Sequence, residues 1–159
     1  DFIVFNIVLH EPRMPGNVGT IGRTAVALKC KLHLIKPYGF GDITEKEVRR
    51  AGLDYWKDLE LFEYENIEDF WVKNPFSSRH FFATTKTTQA YFEAKFEVGD
   101  YIYFGREDAG LPQYILDKNK ESCITIPMAK IARSLNLSNS VSIICYEALR
   151  QNYTNFETI

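Results

Sequence analysis

A chain of 159 residues, 45% hydrophobic and 25% charged, has the length and balance of one globular domain with its own core. Its formal net charge of −2 excludes a generally basic nucleic-acid coat and leaves room only for a local cationic patch. Its apolar runs fall far short of a membrane span, and isolated His10, His33 and His80 fit no zinc spacing.

Cys30, Cys123 and Cys145 are widely spaced in apolar contexts and read as buried, reduced thiols. Asp1-Phe2-Ile3 lacks the basic start of a signal peptide. A cytoplasmic protein without metal or membrane partner is therefore expected.

Along the chain, Phe2 to Leu9 reads as a buried strand, and Asn17-Val18-Gly19-Thr20-Ile21-Gly22-Arg23 opens a helix predicted over 18–30. Val18, Ile21, Ala25 and Leu28 share one face of it, which leaves Thr20, Arg23 and Thr24 toward solvent or ligand. A strand at 31–35 and a helix at 44–51 follow, and Gly52-Leu53-Asp54-Tyr55-Trp56 reads as an excursion. A helix at 66–73, a strand at 79–84 and a second excursion from Thr87 to Gly99 lead to a strand at 100–104. Gly105-Arg106-Glu107-Asp108-Ala109-Gly110-Leu111-Pro112 then turns into a helix at 112–118. The last strand, 122–126, stops at Pro127, and the polar stretch Ser134 to Ser140 enters a helix at 139–151.

Strands alternating with helices predict an α/β domain spanning 1–159, with a mostly parallel sheet flanked by helices. Three polar or Gly-bearing turns lie between a strand end and a helix start, where open α/β sheets bind small ligands. Gly16, Gly19 and Gly22 are spaced three apart, unlike the dinucleotide-binding fingerprint, and the second strand ends in Lys36 rather than an acid. No phosphate-loop lysine motif occurs. A nicotinamide enzyme, an NTPase and the common Rossmann-like methyltransferases are thereby disfavoured.

Asn17-x-Gly19-x-Ile21-x-Arg23, Phe104-Gly105-x-Glu107-x-x-Gly110-Leu111-Pro112 and Ile126-Pro127-Met128 with Ser134-Leu135-Asn136-Leu137-Ser138-Asn139 resemble the three signature motifs of the SPOUT, or trefoil-knotted, RNA methyltransferases. His10-Glu11-Pro12, Leu32-His33-Leu34-Ile35 and Arg49-Arg50-Ala51-Gly52-Leu53-Asp54-Tyr55 further resemble the small branch that methylates the tRNA wobble ribose. The resemblance runs from about residue 6 to Tyr153. It implies a C-terminal deep trefoil knot, a homodimer, and transfer of a methyl group from S-adenosylmethionine to a ribose 2′-hydroxyl in a tRNA anticodon loop. Cofactor contacts are implied for Ala83, Thr84, Gly105, Ile126, Met128, Ser134 and Leu135. His10 stands where family members often carry an aromatic residue, Thr20 where they carry Asn, and Arg13 is an unusual charge in its loop.

Methyl transfer requires in-line approach and loss of a proton, and no histidine occupies the three motifs. Arg23 is the family's candidate for activating the hydroxyl. A guanidinium stays protonated, which favours a clamp and orienter over a base. Glu107 is either a second ligand of Arg23 or a cap for the helix near Pro112. Asn17 either holds RNA backbone or caps its own helix. Asn136 and Ser138 suit ribose or cofactor contacts, with Ser138 or Asn139 alternatively capping the last helix. Tyr38, Tyr55 and Trp56 are candidates to stack on an unpaired base or to fill the core. Arg13, Arg23, Lys46, Arg49, Arg50, Lys57, Arg106, Lys130 and Arg133 are the candidates for a cationic patch. Competing functions are a knotted enzyme acting on another RNA position, such as ribosomal RNA, and a non-catalytic RNA- or cofactor-binding module.

Overall fold

Short strands of alternating side chains, each followed by a longer polar-and-apolar stretch, close into one layer of sheet between two layers of helix. The computed structural model describes residues 5–158. Strands β1 (Asn6–His10), β2 (Lys31–Ile35), β3 (Leu61–Tyr64), β4 (His80–Ala83), β5 (Tyr101–Phe104) and β6 (Cys123–Ile124) form a sheet in the order β3-β2-β1-β5-β4-β6. All five pairings are parallel. Helices α1 (Pro15–Leu28), α2 (Lys46–Gly52), α3 (Ile67–Lys73), α4 (Gln113–Lys118) and α5 (Leu137–Gln151) connect and cover it.

The period of two sorts each strand between two cores. Ile7, Leu9, Leu32, Leu34, Phe81, Ile102, Phe104 and Ile124 face α1 and α5, joining Val18, Ile21, Val141 and Ile144. Val8, Ile35, Phe82, Tyr103 and Cys123 face the opposite way, against Ile67 and Phe70 of α3 and Ile115 and Leu116 of α4. Polar side chains on this second face bond to one another. His33 lies 2.9 Å from both Tyr64 Oη and Asn6 Oδ1, and His80 Nδ1 lies 2.6 Å from Tyr103 Oη. The three cysteines are buried free thiols. Burial pushes the Cys30 thiol up to about 12, so it stays protonated.

The sequence reading holds for the alternation and departs at several ends. The Phe2-Ile3-Val4 part of the first predicted strand lies outside the described residues. Helix α1 starts at Pro15, three residues before its predicted start, because proline is pre-organised for the first helical turn. It ends at Leu28, since Lys29 takes the left-handed conformation with φ 55°. β3 was not expected. It is an edge strand whose Phe62 and Glu63 are exposed, so it shows no buried apolar run. The 52–56 excursion is the last residue of α2 followed by a 3-10 turn, Leu53–Asp58. The 87–99 excursion carries another such turn, Tyr91–Glu93, and a bridge from Ala90 to Thr125. β6 is correspondingly short. Beyond Ile124 the chain leaves β4 and bonds Gln89 and Tyr91 through Thr125.

Candidate functional site

At the carboxyl ends of β4, β5 and β6 the sheet opens into a cavity of about 490 Å³, closed on the other side by the starts of α1 and α5. Parallel strands end together there, so the loops that follow them converge. Ala83 and Thr84 leave β4, Gly105 leaves β5, and Ile126 and Met128 follow β6. Ser134, Leu135 and Asn136 close the rim ahead of α5. Every residue implied as a cofactor contact therefore lines one cavity, together with Asn17, Glu107 and Asn136. Its floor is apolar, with Phe104, Leu111, Ile124 and Ile144. Its rim is polar, as a ligand with an aromatic ring and charged ends requires. Thr85, Lys86, Thr125 and Ser140 also line it and were missed. Lys86 had a legible signal, as a cation placed directly after a strand end.

Glu107 organises the front of this cavity, through a role the sequence did not suggest. Helix α1 has Met14 at its N-cap and no capping side chain of its own. The Glu107 carboxylate, reaching across from the turn after β5, supplies the missing acceptor. Arg13 N–H donates to Oε1 at 2.8 Å, Met14 N–H to Oε2 at 3.0 Å, and the Asn17 side-chain amide to Oε2 at 3.1 Å. An anion at a helix N-terminus is favoured by the orphan N–H groups and by the macrodipole. Glu107 thus caps α1, neither pairing with Arg23 nor capping the helix at Pro112.

Asn17 is the third residue of α1 rather than its cap, and is buried. Its Oδ1 accepts from Ser138 Oγ at 3.1 Å, which ties the start of α1 to the start of α5. The cap of α5 is Asn136, whose Oδ1 accepts from the N–H groups of Ser138 at 2.8 Å and Asn139 at 3.4 Å. Ser138 and Asn139 are therefore capped residues, not caps.

The turn after β5 folds back on itself, with Gly110 N–H donating to Arg106 O at 2.8 Å. A Cβ on Gly105 would lie 2.1 Å from the Gly110 carbonyl carbon and 2.2 Å from the Leu111 nitrogen, so no larger residue closes this turn. The missing side chain admits the chain's own backbone at this point. Gly110 itself sits at φ +72°.

Arg23 does not line the cavity. Six residues beyond Asn17 on the same helix, it stands about 9 Å further along and about 120° around the axis. It is exposed and lies 5.5 Å over the Tyr55 ring, beside Arg49, which lies 5.0 Å over Trp56. Tyr55 is exposed on this cation-aromatic face of α1, α2 and the 53–58 turn, whereas Trp56 is half-buried and packs against the core beneath Arg49. Tyr38 is remote from both, stacked on Phe40 and donating to Glu63 at 2.7 Å. Two candidates leave the cationic patch. The Arg13 guanidinium donates to the Glu11 and Pro37 carbonyls, and Arg106 pairs with Asp108.

Comparison with known proteins agrees along nearly the full chain. A model of the SpoU rRNA methylase family matches residues 4–146. The tRNA (cytidine(34)-2′-O)-methyltransferase of Yersinia pestis is 43% identical over 153 residues, covering 93% of this chain and 94% of that protein. A solved structure concerned with 2-OH methylation of C/U34 on tRNA superposes with a TM-score of 0.89 at 38% identity, over 94% of this chain and 96% of the other. An AdoMet-bound rRNA methyltransferase from Sinorhizobium meliloti superposes with a TM-score of 0.82 at 27% identity, over 94% of this chain and 57% of the other.

Proposed function

The chain belongs to the SpoU rRNA methylase family, and on that footing we propose that it is an S-adenosylmethionine-dependent tRNA 2′-O-methyltransferase of the wobble nucleotide, cytidine or uridine 34. The observation that carries this is full-length similarity to relatives of that name, joined to one cavity that gathers all three motif loops. Among the described residues, no group of His, Cys, Asp or Glu has the arrangement of a metal site, and no helix is long and apolar enough to cross a membrane.

The cavity suits the cofactor in size and in its apolar floor beneath a polar rim. When bound there, the cofactor supplies an electrophilic methyl group. Ala83, Thr84, Gly105, Ile126, Met128, Ser134 and Leu135 are the residues we assign to holding it. Positioning is the larger part of the catalysis, worth roughly 7–11 kcal/mol when two reactants are held aligned. Asn17, Glu107 and Asn136 fix the helix ends that shape the site. Arg23 clamps the RNA and orients the hydroxyl rather than taking its proton. Because Arg23 stands outside the cavity of its own chain, the reading includes a homodimer in which a second copy brings it to the site. It also includes a deep C-terminal trefoil knot. In support, Ile124 and Thr125 are bonded by Thr84 on one side and by Gln89 and Tyr91 on the other, so one continuous stretch, 84–91, flanks the chain on both sides at the end of β6. A tRNA substrate and buried free thiols support a cytoplasmic location.

The test is incubation with labelled S-adenosylmethionine and undermethylated total tRNA, followed by nuclease digestion and mass spectrometry. A 2′-O-methyl group at the wobble position is expected. Label on ribosomal RNA alone would move the enzyme to another RNA position. Cofactor binding without any label would leave the non-catalytic reading.

A further inference from the structure

The 105–111 turn has a second cavity on its far side, of about 400 Å³, which methyl transfer as described does not use. It lies at the end of β1, between the starts of α3 and α4. The strand's alternation explains it. Val8 packs into the α3 and α4 layer, and His10, two residues on, points to the same side just beyond the last packed core residue.

His10 is only 4% exposed, and its Nδ1 has no hydrogen-bond partner among the described residues. Its Nε2 lies 3.6 Å from Glu11 Oε2. Desolvation holds its pKa below the usual range despite Glu11, so the ring is neutral near pH 7. With a carboxylate beside Nε2, the proton belongs on that nitrogen and Nδ1 is left as an acceptor. Glu68 adds a further acceptor to the wall. A buried acceptor left unpaired is costly, so this wall favours a ligand that brings N–H donors. At the mouth, Tyr114 is 50% exposed. Lys86 and Arg106 border both cavities; Arg106 is paired with Asp108, so Lys86 is the cation the partition has to offer.

We propose that the second cavity is a base-binding subsite that takes one unpaired, amino-bearing nucleobase of the RNA substrate. The amino group donates to His10 Nδ1, Tyr114 stacks at the mouth, and Lys86 holds the phosphate that leads into the cofactor cavity. This rests on the tRNA methyltransferase reading and names part of its specificity.

The experiment uses anticodon stem-loop RNAs, intact or with one ribose lacking its base, at the methylated nucleotide or at either neighbour. Each is assayed with the wild-type dimer, with His10→Phe and with Tyr114→Ala. One abasic position is expected to raise the wild-type KM about tenfold, the scale of a lost stacked and bonded base, with little change in kcat. Which position does so identifies the bound base. His10→Phe should raise KM for intact RNA by about as much and make that abasic position silent, with cofactor affinity unchanged. Tyr114→Ala, on an exposed residue, should show the same loss of discrimination if His10→Phe fails to fold. Methylation of every abasic RNA with unaltered KM, or equal losses in wild type and both variants, overturns the subsite while leaving the parent reading intact. Cofactor binding with no methylation of any RNA overturns both.

Discussion

Glu107 concentrates more of the site's architecture than any other single side chain. Its two oxygens receive three donors at the entry to α1, the N–H groups of Arg13 and Met14 just ahead of the helix and the side chain of Asn17 in its first turn, so the helix start is set by a residue at least ninety positions away. Glu107→Gln keeps the shape and turns one acceptor into a donor facing a donor. Urea unfolding should show a loss of about 1–2 kcal/mol, the usual cost of a missing helix cap. Arg23 makes the contrasting case. Arg23→Ala removes a group outside the cavity, so turnover should fall at least about a hundredfold while cofactor affinity by calorimetry stays within about twofold. A collapse of cofactor binding would instead put Arg23 on the cofactor side. The sequence marked Glu107, Asn17 and Asn136 as site residues but did not give the helix-end contact that each one makes. The partners of the first two are distant in sequence, and a carboxylate's cap can be recognised only once both ends are in place.

At the scale of elements, the entry to α5 carries the cavity's rim. Asn136→Ala should lower stability by about 1 kcal/mol in thermal or urea melts and should also weaken cofactor binding, because Ser134 and Leu135 are positioned by the same cap. Elements with a strong period were legible. Val18, Ile21, Ala25 and Leu28 are all buried in α1, and β1, β2, β4 and β5 fall close to their predicted places. β3 was illegible because an edge strand with Phe62 and Glu63 in solvent has no apolar signature distinct from a loop. The helical period put Arg23 off the buried face, where it lies, but could not tell solvent from ligand, because the cavity is assembled by loops distant in sequence.

For the whole molecule, the three buried histidines set the response to acid, burial lowering the pKa of each. Burial lowers the His33 pKa from 6.5 to about 3 and that of His80 from 6.5 to about 4. The unfolded chain therefore binds more protons than the folded one as pH falls below 6.5, and stability decreases over that interval. Chemical denaturation at pH 4.5 should give a free energy at least about 2 kcal/mol below that at pH 7. Gel filtration at low micromolar concentration should place the protein at twice its monomer mass. A fully active monomer would contradict a site shared between copies. The sheet order carries one more consequence, for how the chain is made. β1 lies at the centre of the sheet, and its partner along Asn6–Leu9 on one side is β5, at Tyr101–Phe104. Until the ribosome has delivered that segment, the first strands present a bare apolar edge and β4 has no neighbour to join. The two halves of the sheet must then lock in one late event. Refolding from denaturant is therefore expected to be slow for a protein of this size, and pulsed hydrogen exchange should show the amides joining β1 to β5 protected late.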